Sequence, residues 1–95
     1  MYGGYKMIIK EITIKNPQGL QSKSAALFIQ KASSYKSNIW IAKAERKANG
    51  KSLLGVLSLG IGRDAVITLS AEGEDEAQAV SELESYLLSD MGDNN

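Results

Sequence analysis

Two short segments hold the side chains best suited to chemistry. The first is Gly19-Leu20-Gln21-Ser22-Lys23-Ser24. It gathers hydroxyls, a carboxamide and a cation where a helical pattern begins. A helix start carries partial positive charge, so this group suits an anion. Ordinary capping by Ser22 or Gln21 would employ the same residues. The second is Lys51-Ser52-Leu53-Leu54-Gly55-Val56-Leu57-Ser58-Leu59-Gly60. Ser52 opens a run too short to bury Leu53, Leu54, Val56 and Leu57 together. That predicts an exposed apolar patch beside a hydroxyl. Phosphorylation of such a hydroxyl adds about −1.5 to −2 charge, which a partner's arginines can read.

Other patterns fail on context. Gly60-Ile61-Gly62-Arg63-Asp64-Ala65 satisfies G-x-G-x-x-A. The dinucleotide fingerprint needs a strand before it and a helix after it, and the order here is reversed. Gly55 and Gly60 have the first spacing of a P-loop, but Ile61 stands where lysine is required. Glu74-Asp75-Glu76 are consecutive rather than convergent, and helix capping explains them without a metal. No cofactor is expected.

The 95 residues contain no Cys and no His. Thiolate nucleophiles, disulfides, Cys-ligated zinc, histidine bases and phosphohistidine are all excluded. An enzyme is not expected. The net charge of zero hides a split: residues 1–51 carry ten basic and two acidic side chains, residues 52–95 one basic and nine acidic. Either the halves neutralise one another within one fold, or the basic half meets an anionic partner. Lys43, Arg46, Lys47 and Lys51 would carry nucleic-acid binding, but Trp40 is the sole aromatic among them and the cations are dispersed, so direct nucleic-acid binding is not expected. No segment approaches the ~20 apolar residues of a membrane helix. Met1-Tyr2-Gly3-Gly4-Tyr5-Lys6 lacks the apolar core of a signal peptide. A soluble, cytoplasmic protein is expected, with a frayed tail from Asp90.

The elements that position these segments follow from periodicity. Met7 to Lys15 alternates, with Ile8, Ile12 and Ile14 on one face, and predicts a strand. Asn16-Pro17-Gln18-Gly19 is a turn. Ala25, Phe28, Ile29 and Ala32 have helical spacing, predicting a helix over 22–34. Asn38 to Lys43 and Arg46 to Asn49 read as strands. Asp64 to Glu72 alternates through Ile67, Leu69 and Ala71. Asp75 with Gln78 predicts a capping box, ahead of a helix with an apolar stripe at Ala77, Val80, Leu83 and Leu87 that ends near Ser89. Residues 51–59 are ambiguous: Asn49-Gly50 favours a hairpin and a paired strand, whereas Leu53, Leu54 and Leu57 favour a short helix. With the helix, the order is β-α-β-β-α-β-α. A single α+β domain with a four-stranded antiparallel sheet covered on one face is the natural solution at this length.

From about Ile12 to Leu88 the chain resembles the HPr family of the bacterial sugar phosphotransferase system. Lys51 to Gly60 is similar to that family's regulatory-serine motif, and Gly73-Glu74-Asp75-Glu76 to the start of its last helix. The resemblance implies an open-faced β-sandwich, a short helix over 51–59, and a hairpin turn near Ala44-Glu45. The family's first motif reads Gly, apolar, His, Ala, Arg, Pro, Ala; here it reads Gly19-Leu20-Gln21-Ser22-Lys23-Ser24-Ala25. Gln21 stands at the phosphorylated His, and a carboxamide nitrogen is no nucleophile because its lone pair is delocalised. Lys23 replaces Arg and loses the bidentate fork, and Ser24 replaces Pro.

Gln21 with Ser52 retained resembles the family's catabolite-repression branch. That implies a non-enzymatic regulator phosphorylated on Ser52 by HPr kinase/phosphorylase. It would then bind a transcription factor similar to catabolite control protein A. Leu53, Leu54 and Leu57 would supply the apolar contact, with Lys51, Gln21 and Lys23 beside it. A second reading keeps the fold without phosphorylation: a constitutive module whose apolar patch modulates an enzyme.

Overall fold

Period-two alternation produces the expected strands, and cross-strand register assembles them. In the computed structural model, which describes residues 6–89 and 91, the strands are β1 (Ile8–Thr13), β2 (Asn38–Lys43), β3 (Arg46–Asn49) and β4 (Val66–Glu72). They form one antiparallel sheet in the order β1-β4-β2-β3. The helices are α1 (Ser22–Ser33), α2 (Leu53–Ser58) and α3 (Glu76–Leu87), giving the expected order β-α-β-β-α-β-α. Ile12, Ile39, Ile41, Ile67, Leu69 and Ala71 point to one side and are buried with Phe28, Val56, Val80 and Leu83 from the helices. α3 covers β1 and β4, α2 lies beside β3, and α1 packs against both helices. Among the described residues nothing covers the other side of the sheet: Ile9 is 60% and Val66 48% exposed. This is the open-faced β-sandwich.

The turns resolve the ambiguity at 51–59. The β2–β3 reversal falls at Ala44, which takes a positive φ of 55°, so the hairpin is the one expected at Ala44-Glu45. Asn49-Gly50 makes no second hairpin. Gly50 N–H donates to Ile39 O at 2.7 Å, and a Cβ there would lie 2.6 Å from Ile39 Cγ2. Glycine is needed for that approach rather than for a left-handed turn. β4 begins at Val66 rather than Asp64. Asp64 sits at a φ of 69° and its N–H donates to Ile14 O at 2.6 Å, outside regular pairing.

Three expectations at the C-terminal end need correction. Asp75 occupies the N-cap of α3, but its carboxylate makes no cap bond and no box with Gln78. It accepts instead from Lys36 N–H and Ser37 N–H, each at 2.9 Å, and from Ser37 Oγ at 2.5 Å. Glu76 Oε1 does the local work by accepting from Gly73 N–H at 2.9 Å. The apolar stripe runs through Ala79 rather than Ala77, which is exposed. Met91 is not part of a frayed tail, because it is 1% exposed and its carbonyl accepts from Tyr86 OH at 3.3 Å. The rest of that tail, residues 90 and 92–95, and most of the segment judged for a signal peptide, residues 1–5, lie outside the described residues. Among the described residues no helix is long and apolar enough to cross a membrane.

Candidate functional site

The turn before α1 is built by Asn16, Gly19 and Ser24. Asn16 is buried, and its Oδ1 accepts from Gln18 N–H at 2.7 Å. Gly19 N–H donates to Asn16 O at 3.0 Å, and Gly19 has a φ of 70°. The chain then docks on the segment leaving α2, where Leu20 N–H donates to Ile61 O at 2.9 Å. Gln21 is the N-cap of α1, but the bonding comes from Ser24 three residues on. Ser24 Oγ accepts from Gln21 N–H at 3.0 Å and lies 3.0 Å from Gly19 O and 2.9 Å from Gln21 O. Gln21, one of the two residues expected at the cap, does occupy it, but the side-chain bond comes from Ser24, which the helical pattern does not single out. A serine three residues into a helix pattern is the available signal, because it can reach back to the cap amide. Gln21, Ser22 and Lys23 remain exposed, and Ser22 takes a left-handed φ of 49°.

The second segment begins with a turn in which Asn49 Oδ1 accepts from Lys51 N–H at 2.8 Å and Asn49 O from Ser52 N–H at 3.0 Å. Ser52 is extended, at φ −111° and ψ 113°, and its Oγ accepts from Gly55 N–H at 3.1 Å. Ser52 as a residue is half-buried and so is not sealed from a partner. α2 then turns Val56 and Leu59 into the core and leaves Leu53 40%, Leu54 81% and Leu57 38% exposed. The expected apolar patch is therefore present beside the hydroxyl. Gly60, at a φ of 62°, ends the helix in the left-handed conformation usual after a C-cap.

Three of the four cations around the second segment are held by contacts within the domain. Lys51 Nζ donates to Tyr35 O at 2.7 Å, and Lys43 Nζ donates to Gly60 O at 2.6 Å. Both tie one element to another. Lys47 Nζ lies 4.9 Å from the Trp40 ring centroid. Of the four residues suggested for nucleic acid, two thus hold backbone carbonyls and a third rests on Trp40, which leaves Arg46 as the one without such a contact among the described residues.

The fold sets the first segment against the chain that immediately follows the second. α1 packs on α2, and a Cβ on Gly19 would stand 2.4 Å from Ile61 O and 2.7 Å from Gly62 Cα. That contact is at the exit of α2, whereas Ser52 is at its entrance, about 9 Å away along six helical residues. Gly19 and Ser52 accordingly lie at opposite ends of the same short helix. No group of three or more acidic side chains converges as a metal site among the described residues.

Comparison with known proteins agrees with this architecture. A sequence profile described as "PTS HPr component phosphorylation site" matches residues 8–89. The HPr-like protein Crh of Halalkalibacterium halodurans is 42% identical over 81 residues, covering 85% of this chain and 96% of that protein. The HPr-like protein Crh of Bacillus subtilis is 34% identical over 85 residues, covering 90% of this chain and 100% of that protein. The crystal structure of HPr-C-His from Thermoanaerobacter tengcongensis matches with a TM-score of 0.87 at 42% identity, covering 93% of this chain and 99% of that one. Element order, the two motif-bearing segments and these relatives coincide over nearly all of the described residues, and the chain belongs to the HPr family.

Proposed function

We infer that this protein is a regulatory, non-enzymatic member of its family, switched by phosphorylation of Ser52. HPr kinase/phosphorylase would transfer a phosphoryl group from ATP or pyrophosphate to Ser52 Oγ: the terminal phosphoanhydride bond breaks, ADP or inorganic phosphate leaves, and the hydroxyl gives up its proton as the new P–O bond forms. The phosphoprotein would act in the cytoplasm as corepressor for a catabolite control protein A-type transcription factor in carbon catabolite repression. The observation that carries this reading is the half-buried Ser52 beside the exposed Leu53, Leu54 and Leu57. A partner can cover the leucines and read the phosphate with arginines at the same time. Gln21 removes the alternative of histidine phosphotransfer, because its carboxamide cannot accept and return a phosphoryl group. Gln21, Lys23 and Lys51 would border the contact.

The test is incubation with HPr kinase and ATP, followed by intact mass. One added phosphate is expected, lost in Ser52→Ala. No gain in the full-length protein, or a gain that survives Ser52→Ala, would sink the reading. The 81% exposure of Leu54 in the unmodified protein also favours a second reading, a constitutive apolar docking module. In that case Ser52→Ala keeps partner binding and Leu54→Asp abolishes it.

A further inference from the structure

The uncovered side of the sheet carries a pattern that the Ser52 region does not explain. Register aligns its side chains in rows across all four strands. One row is Glu11, Thr68, Ala42 and Lys47; the next is Ile9, Ser70, Trp40 and Asn49. The first row has opposite charges at its two ends and small side chains between them. Glu11 and Lys47 are exposed, and neither has an ion-pair partner among the described residues. The second row has the large Trp40 beside the small Ser70, which is only 8% exposed between its neighbours.

These rows are complementary to themselves. A two-fold axis running along the strands, midway between two facing sheets, lays β1 of one copy over β3 of the other and β4 over β2. Position along the strands is preserved. Glu11 then faces Lys47 of the second copy, twice by symmetry, and Trp40 of each copy comes down over the small Ser70 of the other. Sheets stack about 10 Å apart, a distance that glutamate and lysine can bridge from opposite sides. Ile9 and Val66, exposed in the single copy, border the same surface.

We propose that two copies of this chain associate face to face across the uncovered side of the sheet, paired by Glu11 and Lys47. The four strands span about 15 Å and the two rows lie only about 7 Å apart along them, so the footprint is small and the association is weak. It forms at high protein concentration and weakens as salt screens the two charge pairs. The exposed α2 leucines lie outside these rows and stay accessible in the dimer, whereas Asn49, at the end of the second row, accepts from Ser52 N–H and brings the rim of the contact to that serine.

Sedimentation velocity over a concentration series, with circular dichroism as the check on folding, tests the proposal. The wild-type protein should show a concentration-dependent dimer. Glu11→Lys and Lys47→Glu should each raise the dimer dissociation constant by about tenfold, because every attractive pair becomes a repulsive one. The double variant Glu11→Lys/Lys47→Glu should recover the wild-type value. In the unmutated protein, dilution should shift the amide resonances of Ile9, Thr68, Ser70 and Trp40 and spare Leu53 to Leu57. A monomer at every concentration, a dimer indifferent to the single reversals, a double variant that stays monomeric, or shifts confined to α2 would each overturn it.

Discussion

At the turn before α1, Gly19 meets two constraints at once: a left-handed φ of 70° and a backbone contact that leaves no room for a methyl group. Ile61 O would be 2.4 Å from a Cβ, and the obstacle is backbone rather than a flexible side chain. Gly19→Ala should therefore lower stability by roughly 1–3 kcal/mol in urea unfolding. It should also disturb both candidate segments, since the contact joins the first to the chain that immediately follows the second. The sequence marked Gly19 as part of a turn; its role as a spacer against the Ile61–Gly62 backbone needed the packed structure. Ser52 is the reverse case. Its capping position and its neighbouring leucines were legible in the sequence, because six residues of helix cannot hide that many apolar side chains. The same reasoning did not find that the Lys51 ammonium holds Tyr35 O, a contact made across 16 positions of chain.

Among the elements, the start of α3 departs furthest from local expectation. A helix N-terminus with Asp75 and Gln78 reads as self-contained, yet the Asp75 carboxylate crosses to the α1–β2 connection and binds two amides and a hydroxyl there. Those bonds, the Ser37 hydroxyl first and the Lys36 amide next, hold the Asp75 carboxyl down at about 2, against an ordinary 3.8. A carboxyl lowered by folding stabilises the fold above its ordinary range, and that contribution is lost as pH falls from about 4 towards about 2. Asp75→Asn should lower the melting temperature at pH 7. It should also flatten the acid limb of the stability profile between those values, as thermal melts across pH would show. A melting temperature that falls equally in both proteins over that range would remove Asp75 as the cause. The strands and α1 were read closely because their signals are periodic and extend over several residues; α3 was displaced in its stripe because Ala77 and Ala79 are equally apolar and only packing selects Ala79.

For the molecule as a whole, closure of the core depends on a residue beyond the last helix. Met91 is 1% exposed, and Tyr86 OH links the region to α1 through Ser24 O at 2.8 Å. Met91→Ala should cost roughly 2–3 kcal/mol in equilibrium unfolding, a core-sized loss from a position that composition assigned to the tail. A loss near zero would show that Met91 does not complete the core. The charge split also resolves at this scale. Lys36 pairs with Glu74 at 3.5 Å and Lys15 with Asp64 at 3.6 Å, so part of the basic half is set against the acidic half inside one domain. Both pairs are well exposed and contribute little to stability.

The sequence by itself determined the elements outside residues 51–59, the inward faces of the strands, the exposed leucines beside Ser52 and the loss of histidine chemistry at Gln21. Those properties follow from residue type and from spacing along a few turns or strands. Tertiary structure alone decided that Asn49-Gly50 is a packing site rather than a hairpin, that Asp75 caps another connection instead of its own helix, and that Met91 is core. It also decided that Glu11 and Lys47 end one cross-strand row. Each of these depends on which distant backbone or side chain arrives within a few ångströms, and local pattern carries no information about that arrival.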